Sequence, residues 1–412
     1  MSSVATLEVK LNRGELPTEK DSIVFARVTI KPTKEVEELV RAHPRKVHLA
    51  IVVDASSSMC GEKLDTAKAA ALRRYERDLG DEDYLSFITF ESSAYVIVDT
   101  ASKKSRGDIG DLIESIQCGF LTNLYEGIEK GIRLLQKTPQ GYLRRMVIMT
   151  DGMPTTGITD PEKIIDLVRR ARDMNIEVSV YGIGDDYDMA LCKAISEAGG
   201  GYIRHASKPD QLEGLSKTTV DKAKSTILDK VELKVDLADK VEVQGAVQMA
   251  PRVVLITLSP EQKHYSWDLG SLSTAENAIV AMKLNVKAGF PEGRQKIGEV
   301  SVGMLKHDIY VNFAREVPFV EDPDARLYYT LGDLMGRIID KATKQMDASE
   351  EYRVLNALVN TQEVKNLQMK DVVFAVILSR ILESEKQTRV EQGITRPDYG
   401  TRVDSLINVL GG

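Results

Sequence analysis

The sequence predicts an α/β chain: a doubly wound, mostly parallel sheet domain inserted in an antiparallel β-sandwich and followed by an α-helical region. Three observations predict it. Apolar residues alternate by twos near the N-terminus and again beyond residue 230, the period of half-buried strands. Between residues 47 and 205, short apolar runs alternate with stretches at helical spacing, the pattern of right-handed βαβ crossovers. After Pro318 and Pro323 the apolar residues recur at the helical period alone. The segments implied are 1–45 for N-terminal sandwich strands, 46–220 for the α/β domain, 225–318 for the rest of the sandwich, 319–384 for a helical domain and 385–412 for a flexible tail.

The first strand, residues 5–11, sets Ala5, Leu7, Val9 and Leu11 on one face, and residues 22–31 repeat the pattern with Val24, Ala26, Val28 and Ile30. Two such strands are marginal alone and need partners from elsewhere in the chain. In the α/β segment the expected strands are Val47–Val53, Tyr84–Phe90, Ala94–Val98, Met146–Thr150, Val178–Gly182 and Tyr202–His205. Helices are expected over 62–79, 108–116, 123–136, 161–174 and 188–198. The runs 84–90 and 94–98, joined by Glu91-Ser92-Ser93, form an edge hairpin. From residue 230, strands are expected at Val231–Leu237, Val241–Val243, Arg252–Leu258, Ile279–Lys287, Gln295–Val302 and Ile309–Phe313, separated by turn residues. Trp267, the one tryptophan, is assigned to the sandwich core. Helices follow over 327–342, 350–359 and Lys370–Leu382, and the composition turns polar from about 384.

With 412 residues, 42% apolar and 28% charged, the chain has material for more than one soluble core. A net charge of −7 gives no general reason to expect nucleic-acid binding. The longest apolar runs, such as Val372–Leu378, are too short to span a bilayer, and the N-terminus has no apolar signal core. Cys60, Cys118 and Cys192 form no CxxC pair and are odd in number, which favours reduced thiols and a cytoplasmic location. Cys60 and Cys118 are accordingly assigned as small packing residues.

Chemistry concentrates at one predicted sheet edge. The buried run from Val47 delivers Asp54, Ser56 and Ser58 to its carboxyl end, where ligands sit in open α/β sheets. The loop Gly119–Leu124 brings Thr122 to the same edge just before a helix, and Met149-Thr150-Asp151-Gly152 brings Asp151. Two carboxylates with three hydroxyls make a hard, all-oxygen donor set suited to Mg²⁺, Mn²⁺ or Ca²⁺ rather than zinc. Helix capping is the competing use of Asp and Ser at such positions.

The Asp-x-Ser-x-Ser…Thr…Asp-Gly pattern resembles the metal-ion-dependent adhesion site of the von Willebrand factor A family, over roughly residues 46–215. That resemblance implies one Mg²⁺ or Mn²⁺ at the top of the sheet. Ser56 and Ser58 would coordinate directly, and Asp54, Thr122 and Asp151 directly or through water. An open position would accept an Asp or Glu from a protein partner.

Signatures of catalysis are few. His43, His48, His205, His264 and His307 are scattered, with no HExxH, no nucleophile signature and no GxxxxGK[ST] phosphate loop. His48 and His205 are assigned structural roles. A binding module is therefore favoured over an enzyme. An adaptor or chelatase-type partner of an ATPase and a metal-dependent hydrolase are the alternatives.

The tail carries Thr388-Arg389-Val390-Glu391, Thr395-Arg396-Pro397-Asp398 and Thr401-Arg402-Val403-Asp404. One account is a solvated, self-compensating tail. The other is that the triplet resembles phosphothreonine ligands of forkhead-associated domains, implying phosphorylation at Thr388, Thr395 and Thr401 by a Ser/Thr kinase and reversal by a phosphatase. Sandwich, von Willebrand A domain and helical arm together resemble the layout of COPII coat proteins, without their zinc finger. They are also similar to the phosphoproteins of the archaellum regulatory network, which implies a role in regulating motility.

Overall fold

The computed structural model describes residues 4–102, 109–184, 187–206, 220–259, 262–344 and 346–379. Thr388, Thr395 and Thr401 lie outside the described residues. The chain divides into two units, one of Met1–Glu37, Lys230–Leu272 and Glu276–Gly412, the other of Glu38–Asp229 and Ser273–Ala275.

The first unit opens with β1 (Ala5–Leu11), β2 (Glu15–Pro17) and β3 (Ser22–Pro32). A helix the apolar pattern did not reveal, α1 (Lys34–Ala42), follows; it buries no residue, so no apolar stripe marks it.

In the second unit, β4 (Val47–Asp54) is buried on both faces, as the continuous apolar run requires. After it come α2 (Glu62–Arg73), β5 (Tyr84–Phe90), β6 (Ala94–Ala101), α3 (Ile109–Glu114) and α4 (Leu124–Gln136). Next are β7 (Leu143–Thr150), α5 (Pro161–Asp173), β8 (Ile176–Ile183), α6 (Met189–Ala198), β9 (Gly200–Ala206) and β10 (Thr226–Leu228). The sheet order is β6-β5-β4-β7-β8-β9. All ladders are parallel except β5–β6, the expected edge hairpin.

Both faces of this sheet are covered. Leu49, Ile51 and Val53 join Leu64, Ala67 and Ala71 of α2 and Ile113 of α3 in one core. On the opposite face α4 lies so close that a Cβ on Gly131 would stand 2.7 Å from Met146 Cε and 3.1 Å from Val52 Cγ2. Thr122 stands just ahead of α4, before its capping residue Asn123.

The first unit then resumes with β11 (Glu232–Leu237), β12 (Val241–Ala250), β13 (Val254–Leu255), β14 (His264–Asp268), β15 (Leu272–Ser273), β16 (Ala278–Val286), β17 (Gly293–Val302) and β18 (Leu305–Ala314). One five-stranded sheet runs β1-β3-β16-β12-β13 and the other β14-β11-β17-β18-β2. The N-terminal strands thus find their partners far along the chain: Val24, Ala26 and Val28 pair with Leu284, Met282 and Val280. Ladders are antiparallel except β2 beside β18. Trp267 is buried on β14 beside Tyr265, as expected of a core residue. The strand expected over 252–258 shrinks to Val254–Leu255, because only Leu255 and Val254 find ladder partners, Val247 and Gln248.

Helices α7 (Asp324–Thr343), α8 (Ser349–Val359) and α9 (Gln362–Lys370) close this unit. Leu327, Leu331, Leu334 and Ile338 of α7 bury against Val247, Met249, Ile279 and Ala281. The single helix expected from Lys370 is instead the end of α9 and a new helical run at 372–379. Asp371 divides them, its Oδ1 accepting from the amides of Val373 and Phe374. No helix among the described residues is long and apolar enough to cross a membrane.

The assignment of Cys60 and Cys118 as unpaired packing residues is also corrected. Cys60 and Cys118 are joined in a disulfide, with Cα atoms 5.7 Å apart across a sequence separation of 58. The turn after β4 and the stretch ahead of Thr122 meet only through the sheet topology, so spacing in the sequence gives no sign of the pair. Cysteine usage therefore no longer argues for a reducing compartment. Cys192 is free and buried, and burial pushes its thiol pKa up.

Candidate metal centre

The carboxyl ends of β4 and β7 are neighbours in the sheet, which sets Asp54 and Asp151 side by side on one edge. Asp54 is fully buried. Its Oδ1 accepts from the Ser56 amide at 2.9 Å and its Oδ2 from the Thr150 hydroxyl at 2.6 Å. Burial outweighs these hydrogen bonds, and with the Asp151 charge nearby it pushes the Asp54 pKa up to about 6. A buried carboxylate in that condition favours a nearby positive charge.

The turn that follows β4 brings the Ser56 and Ser58 hydroxyls within 3.2 Å of each other. Ser58 in turn donates to Asp151 Oδ1 at 2.7 Å. Thr122 belongs to the same cluster: a Cβ on Gly152 would lie 3.7 Å from Ser58 Oγ and 4.0 Å from Thr122 Oγ1. All five residues named from the sequence are therefore brought together.

Backbone hydrogen bonds hold the loops in place. Ala55 donates to the Phe90 carbonyl, Gly119 to Ala55 and Asn123 to Glu91. The Thr122 amide donates to Thr155 Oγ1 at 2.9 Å, and the Thr155 amide returns a bond to the Thr122 carbonyl. Asn123 caps α4 by accepting from the Glu126 amide. The Cys60–Cys118 bridge ties the first loop to the second.

Among the described residues no three His, Cys, Asp or Glu side chains converge to hold a metal. Any ion here would rest on two aspartates and hydroxyls, a set that fits a small hard dication and would disfavour zinc.

Two neighbours escaped sequence reasoning. Thr150, the last residue of β7, orients Asp54. Lys63, in the first turn of α2, sets its ammonium 2.5 Å from Asp151 Oδ2. Neither has a signature, since Thr ends many strands and Lys opens many helices. Around the site the loops expose Phe120 (84%), Met153 (60%), Leu121 (43%) and Ile158 (38%). Both His48 and His205 are buried. His48 lies at the start of β4, the opposite end from the site, whereas His205 stands near the carboxyl end of β9, level with Gly182 of β8, two strands from β7, and stacks on Tyr187.

Residues 48–218 match the family profile of the von Willebrand factor type A domain. The uncharacterized protein sll0103 of Synechocystis sp. is 25% identical over 265 residues, covering 63% of this chain and 62% of its own length. Inter-alpha-trypsin inhibitor heavy chain H3 of Rattus norvegicus is 26% identical over 196 residues, 45% of this chain and 22% of its own. The chain thus spans less than two thirds of each of these relatives. Two solved structures are similar over nearly the whole chain. A von Willebrand factor type A protein from Catenulispora acidiphila superposes with a TM-score of 0.71 at 14% identity, over 99% of this chain and 97% of its own. The ArnB paralog VWA2 from Sulfolobus acidocaldarius gives 0.64 at 17%, over 99% and 98%. At these identities the two structures establish the fold alone.

Proposed function

We propose that this chain, whose residues 48–218 are a von Willebrand factor type A domain, is a non-enzymatic interaction and regulatory protein that binds partners through a divalent-metal site and a phosphorylated tail. Asp54, Ser56, Ser58, Thr122 and Asp151 would hold one Mg²⁺ or Mn²⁺. When bound, the ion supplies an exchangeable coordination position for a partner's carboxylate. The observation that carries this reading is the preassembled cluster itself, in which Ser58 touches both Ser56 and Asp151 while Thr150 orients Asp54.

The rim narrows the partner's chemistry. Soluble proteins rarely leave a phenylalanine as exposed as Phe120 beside further exposed apolar side chains without an interaction reason. A protein segment with an acidic side chain flanked by bulky apolar residues matches a cationic centre whose loops also expose Phe120, Leu121, Met153 and Ile158. A small free anion would leave that rim uncovered.

The tail part of the proposal rests on the three Thr-Arg-x-acid copies alone. Phosphorylation at Thr388, Thr395 and Thr401 would offer ligands to a forkhead-associated partner, and regulation of archaellum expression is the role we attach to it. The test treats the full chain with a Ser/Thr kinase and mixes it with a purified forkhead-associated domain. Retention should require treatment and vanish in the Thr388→Ala, Thr395→Ala, Thr401→Ala triple variant. Retention untouched by the triple substitution would sink the tail reading and leave the metal reading standing.

A further inference from the structure

Asp151 has both oxygens taken by its own chain. Ser58 Oγ donates to Oδ1 at 2.7 Å, and Lys63 Nζ sits 2.5 Å from Oδ2. The carboxylate is fully buried, whereas the Lys63 side chain is 34% exposed, so the ammonium reaches in from the surface. Its stem runs over Gly184, which follows β8 with φ +75: a Cβ there would stand 3.3 Å from both Cε and Nζ. A side chain at Gly184 would strain the left-handed backbone and press on the ammonium. Lys63 thus has a built seat on this carboxylate.

The seat has a consequence for loading. Ser58 belongs to the proposed donor set and can stay beside Asp151 when an ion enters. Lys63 is the wrong kind of group for that set, since an ammonium carries only donors and no lone pair. If it remained on Asp151, two cations would share one carboxylate at close range, where like charges repel strongly. Without any cation, two buried aspartates would face each other uncompensated.

We propose that Lys63 is the resident counter-cation of this centre: it neutralises Asp151 in the metal-free protein and leaves that carboxylate when a divalent ion loads, so it sets the site's metal affinity. This rests on the metal reading above and adds a residue outside its donor set.

The test titrates Mn²⁺ into the full-length wild type, Lys63→Met and Lys63→Arg by calorimetry, and follows lysine acetylation by mass spectrometry with and without Mn²⁺. Lys63→Met should bind Mn²⁺ about tenfold more tightly than wild type, melt at a lower temperature without metal, and gain more on loading. Lys63→Arg, which keeps the charge, should stay near wild type and guards against a folding defect. In the wild type, acetylation of Lys63 should accelerate on loading, which simple charge repulsion without exchange would not cause. Equal or weaker Mn²⁺ binding by Lys63→Met, or Lys63 reactivity indifferent to Mn²⁺, overturns the exchange while leaving the metal reading intact. Failure of both wild type and Lys63→Met to bind Mn²⁺ overturns both.

Discussion

Thr150 donates its hydroxyl to Asp54 over 2.6 Å, across the neighbouring parallel strands β7 and β4, and so fixes an aspartate that solvent cannot reach. Partners that orient a metal ligand in this way are worth about 10–100-fold in metal affinity. Thr150→Val keeps the shape and removes the donor. It should weaken Mn²⁺ binding by at least about tenfold, with circular dichroism unchanged. Full retention of affinity would mean that Asp54 needs no such support.

His48 gives the fold a pH dependence. It is fully buried, with Nδ1 2.7 Å from Thr138 Oγ1 and Nε2 2.9 Å from Ser86 Oγ. Burial lowers its pKa to about 4 against a pull from Asp99, with Arg144 adding to the lowering. The unfolded chain takes up this proton first, so the contribution is complete above about pH 6.5 and is lost as pH falls through about 4. Its size is on the order of 3 kcal/mol. Urea unfolding at pH 7 and pH 4.5 should show a loss of that order, and His48→Gln should flatten it. A parallel pH profile in the variant would assign the acid sensitivity to other groups.

The Cys60–Cys118 bridge closes a loop across a sequence separation of 58. Loop entropy of that length corresponds to about 2–4 kcal/mol of stability. Reduction with a phosphine should lower the unfolding midpoint of the wild type and leave the Cys60→Ser, Cys118→Ser double variant unmoved. Two reactive thiols in the oxidised native protein, counted by alkylation and mass spectrometry, would contradict the pairing.

In the other unit, Arg27 Nη1 meets Asp371 Oδ2 at 2.7 Å, the Tyr328 hydroxyl donates to the same oxygen at 3.1 Å, and the guanidinium lies 4.6 Å from the Tyr328 ring centroid. Burial works against the Asp371 charge, but bonds from the Phe374 amide and Arg27 prevail and hold its pKa below the usual range. A double-mutant cycle with Arg27→Met and Asp371→Asn should return a coupling of about 1–3 kcal/mol in unfolding free energy. Additive losses would show that the network contributes packing rather than charge.

How much of this was legible follows from where the information sits. Asp54, Ser56 and Ser58 follow an apolar run buried on both faces, so one stretch of sequence carried strand, edge and donors together. Thr122 and Asp151 were legible because each sits where an expected strand or helix meets a loop. The Lys63–Asp151 and Thr150–Asp54 contacts, and the cysteine pair, exist only once distant loops are stacked by the sheet. No local pattern encodes them. The helix α1 was missed because it buries nothing, and the break at Asp371 was missed because Lys370 and Asp371 stand directly before the apolar run Val372–Leu378 and read as its first turn.

The central claim is that Asp54, Ser56, Ser58, Thr122 and Asp151 form one divalent-cation site. Calorimetric titration of Mn²⁺ into the full-length protein, beside Asp54→Ala and Asp151→Ala, tests it most directly. The account predicts a single ion per wild-type chain and loss of that binding in each variant. No binding by the wild type at millimolar Mn²⁺, or the same isotherm in all three proteins, would contradict it.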